Sequence, residues 1–209
     1  MKNDANLHGI ILYDKRAKTY DREASLMERM LGSTRKILNV LQGNILEIGT
    51  GTGINLPFFN SKSIVTAIDW SNEMVKIAKW KKNLFQLSNI YKIQQGDAQE
   101  LSAQFKSHSF DNIASTCVFC SIPDPILALK EVKKILKPNG YLIQIEHGLS
   151  RFWLVNILMN FFAPIIYHFT GTHINRNHVR NLKQVGFNII HEKSIDPMGI
   201  MKIIISKSN

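Results

Sequence analysis

The chain has 209 residues, 44% hydrophobic and 20% charged, enough for one sizeable core and short for two. Two cysteines exclude a disulfide framework, and the first residues lack a signal-peptide apolar run, so a cytoplasmic setting is expected. The net charge is +10, but Lys76, Lys79, Lys81, Lys82 and Lys130, Lys133, Lys134, Lys137 recur at helix-face spacings without interleaved stacking aromatics. No nucleic-acid partner is therefore expected.

Residues 4–40 read as helical with a break near Gly32-Ser33. Within them "YDKRAKTYDRE" places Tyr13 and Tyr20 seven positions apart, roughly two helical turns, so one helix face is expected to carry both rings. They either pack that helix on the body or form a lid over a cleft. Strands are predicted at 44–48, 64–68, 90–94, 112–116, 141–146, 187–191 and 201–205. Helices are predicted at 71–83, 125–136 and 175–185. The first starts at Ser71, a good N-cap, and aligns Met74, Ile77 and Ala78; the second stops at Lys137-Pro138-Asn139-Gly140. Alternating strands and helices predict an α/β fold: a seven-stranded, mostly parallel sheet with helices on both faces and ligands beyond the strands' C-terminal ends. One domain is expected, divided into an N-terminal helical lid (1–40), a nucleotide-binding core (41–148), an apolar cap (149–186) and C-terminal strands (187–209).

"NILEIGTGTGIN", residues 44–55, runs a strand into a glycine-rich turn of the kind that holds nucleotides. A P-loop is excluded, because Ile54 stands five positions after Gly49 and no Lys-Ser/Thr pair follows. A dinucleotide fingerprint needs a third glycine where Ile54 stands, although Asp69, 20 positions after Gly49, sits where a ribose-binding acid belongs. That reading, a dehydrogenase, predicts NADH binding and is the runner-up.

"ILEIGTGTG" resembles the first motif of the Rossmann-like, S-adenosylmethionine-dependent methyltransferases, and the resemblance continues in register. "VTAIDWSNEMVKIA", "IQQGDAQEL", "SFDNI" and "ALKEVKKILKPNGYLIQIE" are similar to that family's later segments, with Asn139 where glycine is commoner. The resemblance implies S-adenosylmethionine as cofactor. It makes Asp69 the ribose acceptor, Trp70 and Met74 neighbours of the adenine, and Asp97 with backbone at Ala98 the partners of the adenine edge. Gly49, Thr50, Gly51 and Gly53 would let the main chain approach the methionine half, with Glu47 near its ammonium end and Cys117 beside it. Tyr13 and Tyr20 would be lid residues on the cofactor.

Within the superfamily, "STCVFCSIPDPILALKEVKKILKPNGYLIQIEHG" resembles bacterial phospholipid N-methyltransferases, and still more the membrane-associated animal thiol methyltransferases and their bacterial relatives. That implies a small hydrophobic acceptor, a thiol or sulfide first and a phospholipid head-group amine second. A quinone-precursor carbon and a non-catalytic cofactor-binding or membrane-interaction protein are the alternatives. His147, with an ordinary pKa near 6.5, would supply a base, and Tyr20 would orient cofactor or acceptor.

Cys117 and Cys120 are expected on a strand, pointing to different faces and binding no metal, while His173 and His178 are expected at the surface or as caps. The segment "RFWLVNILMNFFAPIIYHF" approaches the ~17-residue minimum for spanning a bilayer. Asn156, Asn160, Pro164 and His168 form one narrow polar stripe on it. A helix this apolar is either a buried roof over the acceptor pocket, the favoured reading, or a peripheral membrane contact through 152–169.

Overall fold

The computed structural model describes residues 4–208. Its strands are β1 (Asn44–Ile48), β2 (Ile64–Asp69), β3 (Ile90–Gln95), β4 (Phe110–Thr116), β5 (Leu136–His147), β6 (Asn188–Ser194) and β7 (Met201–Lys207). They form one sheet in the order β3-β2-β1-β4-β5-β7-β6. β1 to β5 are parallel, and β7 runs antiparallel between β5 and β6. The helices are α1 (Asp4–Arg16), α2 (Tyr20–Leu31), α3 (Asn72–Leu84), α4 (Pro125–Ile135), α5 (Trp153–Thr170) and α6 (His178–Val185).

Alternation along β1 sends side chains to opposite faces. Leu46 and Ile48 join Leu129, Val132 and Leu182 beneath α4 and α6, while Ile45 packs with Val65, Val75 and Ala78 beneath α3. Cover on both faces explains why the parallel strands read as continuous apolar runs. The chain leaves β1 towards β2 on one side and returns through β4 on the other. This is the switch point where a crevice opens at the strands' C-terminal ends.

Four local expectations change. The N-terminal helix is interrupted at 17–19, because Thr19 starts a second helix: its carbonyl accepts Glu23 N at 3.0 Å and its hydroxyl bonds the Glu23 carboxylate. β5 starts at Leu136, opposite Phe110; the chain then turns through Asn139 at φ +65° and resumes with Tyr141 opposite Asn112. Asparagine tolerates that left-handed conformation better than other side chains, so it replaces the commoner glycine. Cys117 and Cys120 lie beyond the end of β4 in a turn, Cys117 at φ +55°. α6 begins only at His178, capped by Asn177, whose side chain accepts Arg180 N at 2.9 Å.

Candidate functional site

The glycine-rich turn stands directly above β1, and Gly49, Gly51 and Gly53 have φ of +67°, +54° and +83°. Each is left-handed, where a Cβ is strained. Their surroundings differ. A Cβ on Gly49 would lie 2.4 Å from Val118, and one on Gly53 2.8 Å from Leu56 and 3.2 Å from Ala78. Those two glycines serve close packing within the protein. Only at Gly51 would a Cβ meet nothing within 4 Å, so only there is the space over the turn left for a ligand.

Asp69 closes β2 facing this turn. Its carboxylate accepts Gly51 N at 2.8 Å and Ser71 N at 2.9 Å, anchoring both. Burial raises its pKa to about 6 against those two bonds. A carboxylate offers about four lone-pair directions, so two remain for further donors.

One cleft joins Gly49, Gly51, Asp69 and Trp70 to Met74, Asp97 and Ala98 on one side and to Tyr13, Tyr20 and Cys117 on the other. The sequence expectation therefore places ten of its residues on a common wall. Ile48, Ile68, Val118 and Ile122 make the rest largely apolar. Asp97 also caps the 3-10 helix Ala98–Ala103 by accepting Gln99 N at 2.9 Å.

α1 and α2 cover the opening. Tyr13 lies 6.1 Å from Trp70 and 6.3 Å from Tyr20, ring centre to ring centre. The two tyrosines meet across the turn between the helices instead of sharing a helix face. Gly9 passes so close to Trp70 that a Cβ would sit 2.4 Å from the indole. Asn6 donates to Asp97 at 3.1 Å, Ser71 Oγ donates to Asp14 at 2.5 Å, and Lys81 pairs with Asp21 at 2.5 Å. Burial pushes the Tyr13 phenol up to about 12 and Tyr20 higher still, so both stay protonated.

Four expected residues lie elsewhere: Gly53, packed on Leu56 and Ala78, and Glu47, Thr50 and His147. Glu47 is fully buried behind the turn, where one oxygen accepts the Thr50 hydroxyl at 2.7 Å; burial raises its pKa to about 7. Thr50 lines a small adjoining cavity with Tyr20, Arg35 and Asn55. His147 borders neither space; it ends β5, its carbonyl faces His178 Nε2 at 3.0 Å, and burial lowers its pKa.

The glycine turn and aspartate cradle on this sheet have counterparts among known proteins. Residues 46–144 match the methyltransferase domain model. That match spans a little under half of the chain, which is similar there to the class I methyltransferases. Mitochondrial methyltransferase OMS1 of Saccharomyces cerevisiae is 29% identical over 166 residues, 71% of this chain and 35% of that protein. The phosphatidylethanolamine N-methyltransferase of Cereibacter sphaeroides is 30% identical over 110 residues, 53% of each chain. The ubiquinone/menaquinone biosynthesis C-methyltransferase of Geotalea daltonii is 29% identical over 134 residues, 62% of this chain and 56% of that one. The chain thus spans about half the length of these relatives, and a third of the first. Solved SAM-dependent methyltransferases from Thermotoga maritima and Aquifex aeolicus share the fold, with TM-scores of 0.70 and 0.65 at 20% identity. They cover 95% and 94% of this chain, and the matches cover 99% and 98% of theirs. The cofactor of this family is S-adenosylmethionine.

Outside the cofactor cleft of the methyltransferase, the polar stripe of α5 does not face the ligand space. Asn156 exchanges hydrogen bonds with Ser150 N and O at 2.7 and 2.9 Å, and Asn160 accepts from Asn175 at 2.9 Å. Of the stripe, Asn156 is half-buried and Asn160, Pro164 and His168 are exposed, while Met159 and Ala163 are buried; most of the other apolar side chains also stand outward, so α5 is not a buried roof. His178 is buried, not superficial, and His173 stacks on Tyr167 at 4.2 Å; burial takes both pKa values down to about 4. Among the described residues, no three His, Cys, Asp or Glu side chains converge on a metal position.

Sequence reasoning missed Arg35, Asn55, Asn6, Asp14 and Glu146. Glu146 is buried at the end of β5, where one oxygen accepts Val118 N at 3.0 Å and Phe119 N at 3.1 Å and fixes the loop after β4. An acid inside the apolar run "YLIQIEHG" was the available signal. Arg35 left a weaker one, a lone arginine in a short stretch otherwise read as lid.

Proposed function

We propose that this protein transfers the methyl group of S-adenosylmethionine to a lipid-like acceptor, with a phospholipid head-group amine as first candidate. The observation that carries the reading is the lining of the cleft: beside the carboxylates of Asp69 and Asp97 it has hydroxyls, aromatic rings and apolar side chains, and among the described residues no lysine, arginine or histidine.

The cofactor roles follow from placement. Asp69 accepts the ribose hydroxyls with its remaining lone pairs, Trp70 and Met74 flank the adenine, and Asp97 with Ala98 reads the adenine edge. The turn at Gly51 leaves room for the amino-acid half. Arg35, buried beside Thr50 and Asn55, is the cation for the cofactor's carboxylate, and Glu47 balances its charge from behind. Bound S-adenosylmethionine supplies an electrophilic methyl on a sulfonium. The protein's task is then to align the acceptor in line with it and exclude water.

The same lining ranks the acceptors. A thiol must arrive as thiolate, and among the described residues the cleft lining has no basic side chain to take its proton. A quinone-precursor carbon has to lose a proton to a base, yet the two tyrosines at the cleft hold theirs firmly. An amine arrives as ammonium and gives up its proton to water on entry, where desolvation favours the neutral form with its lone pair free. The relative named phosphatidylethanolamine N-methyltransferase supports this ranking. His147 has no part in the proposed step, since it does not border the cleft.

The test is transfer of labelled methyl from S-adenosylmethionine to phosphatidylethanolamine vesicles, simple thiols and demethylated quinones in parallel. Label in the amine lipid is the expected result. Label confined to thioethers or to quinone overturns the acceptor and leaves the cofactor site standing. Absence of label with all three, alongside tight S-adenosylhomocysteine binding, supports the non-catalytic alternative.

A further inference from the structure

α5 and the adjoining side of α1 present an apolar surface that no other part of the described chain covers. Trp153, Phe161 and Phe169 are 69%, 71% and 69% exposed, and Leu154, Leu158 and Ile165 also stand more than half exposed. Met159 and Ala163 face the body, yet apolar side chains also make up most of the exposed circumference, unlike the polar outer face of a soluble amphipathic helix. Eighteen residues of helix make a face about 27 Å long, far beyond scattered surface hydrophobics. α1 meets this helix through His8, 5.8 Å from Tyr167 and 6.1 Å from His168. Beside that contact Leu7 and Ile11 are exposed, Lys15 continues the same α1 face, and Lys18 follows exposed in the turn after it.

We propose that this two-helix face docks on an anionic lipid bilayer, with α5 lying in the plane of the interface. Charge selects the occupant. Between Glu146 and Glu192 the sequence contains no acid, while Arg151, Arg180 and Lys183 are exposed and basic; Arg176 is turned onto the carbonyls of Phe119 and Pro123. Arg151 lies over the Phe152 ring at 4.7 Å at the head of α5, where an amphipathic cation sits at a lipid head-group level. Asp14, the acid beside Lys15 on α1, is turned inward onto Ser71. A second copy of the chain would bring like charge to like charge; an anionic bilayer neutralises it. By length and composition α5 could also cross a membrane. It is, however, tied to the body along one side through Asn156, Asn160 and Tyr167, which suits a helix lying flat.

The surface deepens the proposed acceptor class. Thr172, just past the C-terminal end of α5, lies 3.3 Å from the Tyr13 hydroxyl at the cleft wall. An acceptor leaving the bilayer beside α5 therefore meets the lid. The docking itself does not depend on which acceptor is methylated.

The experiment is flotation of the full chain with phosphatidylcholine vesicles, with and without about one-third phosphatidylglycerol. Binding to the anionic vesicles is expected, weakened about tenfold or more by high salt. Trp153 should be quenched by brominated acyl chains, and that quenching should vanish in Trp153→Phe. Leu158→Ser combined with Phe161→Ser should abolish flotation and leave S-adenosylhomocysteine affinity unchanged. If that variant does not fold, quenching in the unaltered protein carries the test. A protein that ignores anionic vesicles, or one that forms a stable dimer shielding Trp153 without lipid, overturns the proposal. Docking without methylation of any lipid would sink the acceptor assignment alone.

Discussion

The Tyr13 hydroxyl and Ser121 Oγ are 2.8 Å apart, joining α1 to the turn after β4 across 108 positions of sequence. The bond latches the lid to the sheet at the edge of the cofactor cleft. In Tyr13→Phe the latch is lost and the ring remains on Trp70. A neutral hydrogen bond contributes about 0.5–1.5 kcal/mol, so S-adenosylhomocysteine affinity should fall by about two- to tenfold. Titration calorimetry, with dissociation followed by stopped flow, would show the loss in the off-rate. An unchanged off-rate would mean that the lid is held by other contacts.

The glycines of the turn separate packing from ligand space. Gly49→Ala drives a Cβ into Val118 in a left-handed conformation, and should lower stability by about 1–3 kcal/mol. Gly51→Ala meets no protein atom, so its cost should stay near the ~1 kcal/mol of left-handed strain. Its cofactor binding should fall well below that of Gly49→Ala measured under conditions where both are folded. Thermal melts and binding isotherms on the two variants would check the contrast.

These glycines also mark what the sequence reveals. All three strain the turn, which the pattern G-x-G-x-G announces, but the pattern does not say which one faces ligand. The sheet was legible because its strands are uniform apolar runs between well-capped helices. The connection between Tyr13 and Tyr20 was not, since a single hydroxyl at Thr19 competes with a helical spacing that looks continuous. Glu47 and Asp69 are acids near the ends of adjacent strands, yet only Asp69 reaches the cleft; side-chain direction at a strand end depends on the turn that follows. The exposure of α5 was half legible: its apolar run was evident, and which of its residues are covered depends on where neighbouring loops, such as those carrying Ser150 and Asn175, meet the helix.

Acidity should weaken the cofactor site. Folding raises the pKa of Asp69 from its ordinary 3.8 to about 6, and that of Glu47 from 4.5 to about 7. In these windows the folded, empty protein binds more protons than the unfolded chain, so both acids favour folding below their unfolded values and lose that contribution as pH rises. A bound sulfonium and ammonium reverse the preference by favouring the ionised forms. S-adenosylhomocysteine, which lacks the sulfonium, should show a smaller gain than S-adenosylmethionine between pH 5.5 and 7.5, on the order of the pKa window above. Asp69→Asn should flatten its share. Equal pH profiles for both ligands and for the variant would contradict the placement of these carboxylates.

Arg35 offers the sharpest division of the cofactor into halves. It is buried, donates to Asn55 Oδ1, and borders the small cavity beside Thr50, away from the adenine side at Asp97. In Arg35→Gln the proposed partner of the cofactor's carboxylate is gone. A hydrogen bond to a charged group contributes about 1.5–3 kcal/mol, so S-adenosylhomocysteine affinity should fall by about ten- to 150-fold. Methylthioadenosine, which has the adenosine and no amino acid, should bind the variant and the unaltered protein alike. Equal losses for both ligands would show that Arg35 supports the turn as a whole, whereas no loss for either would move the carboxylate to another site.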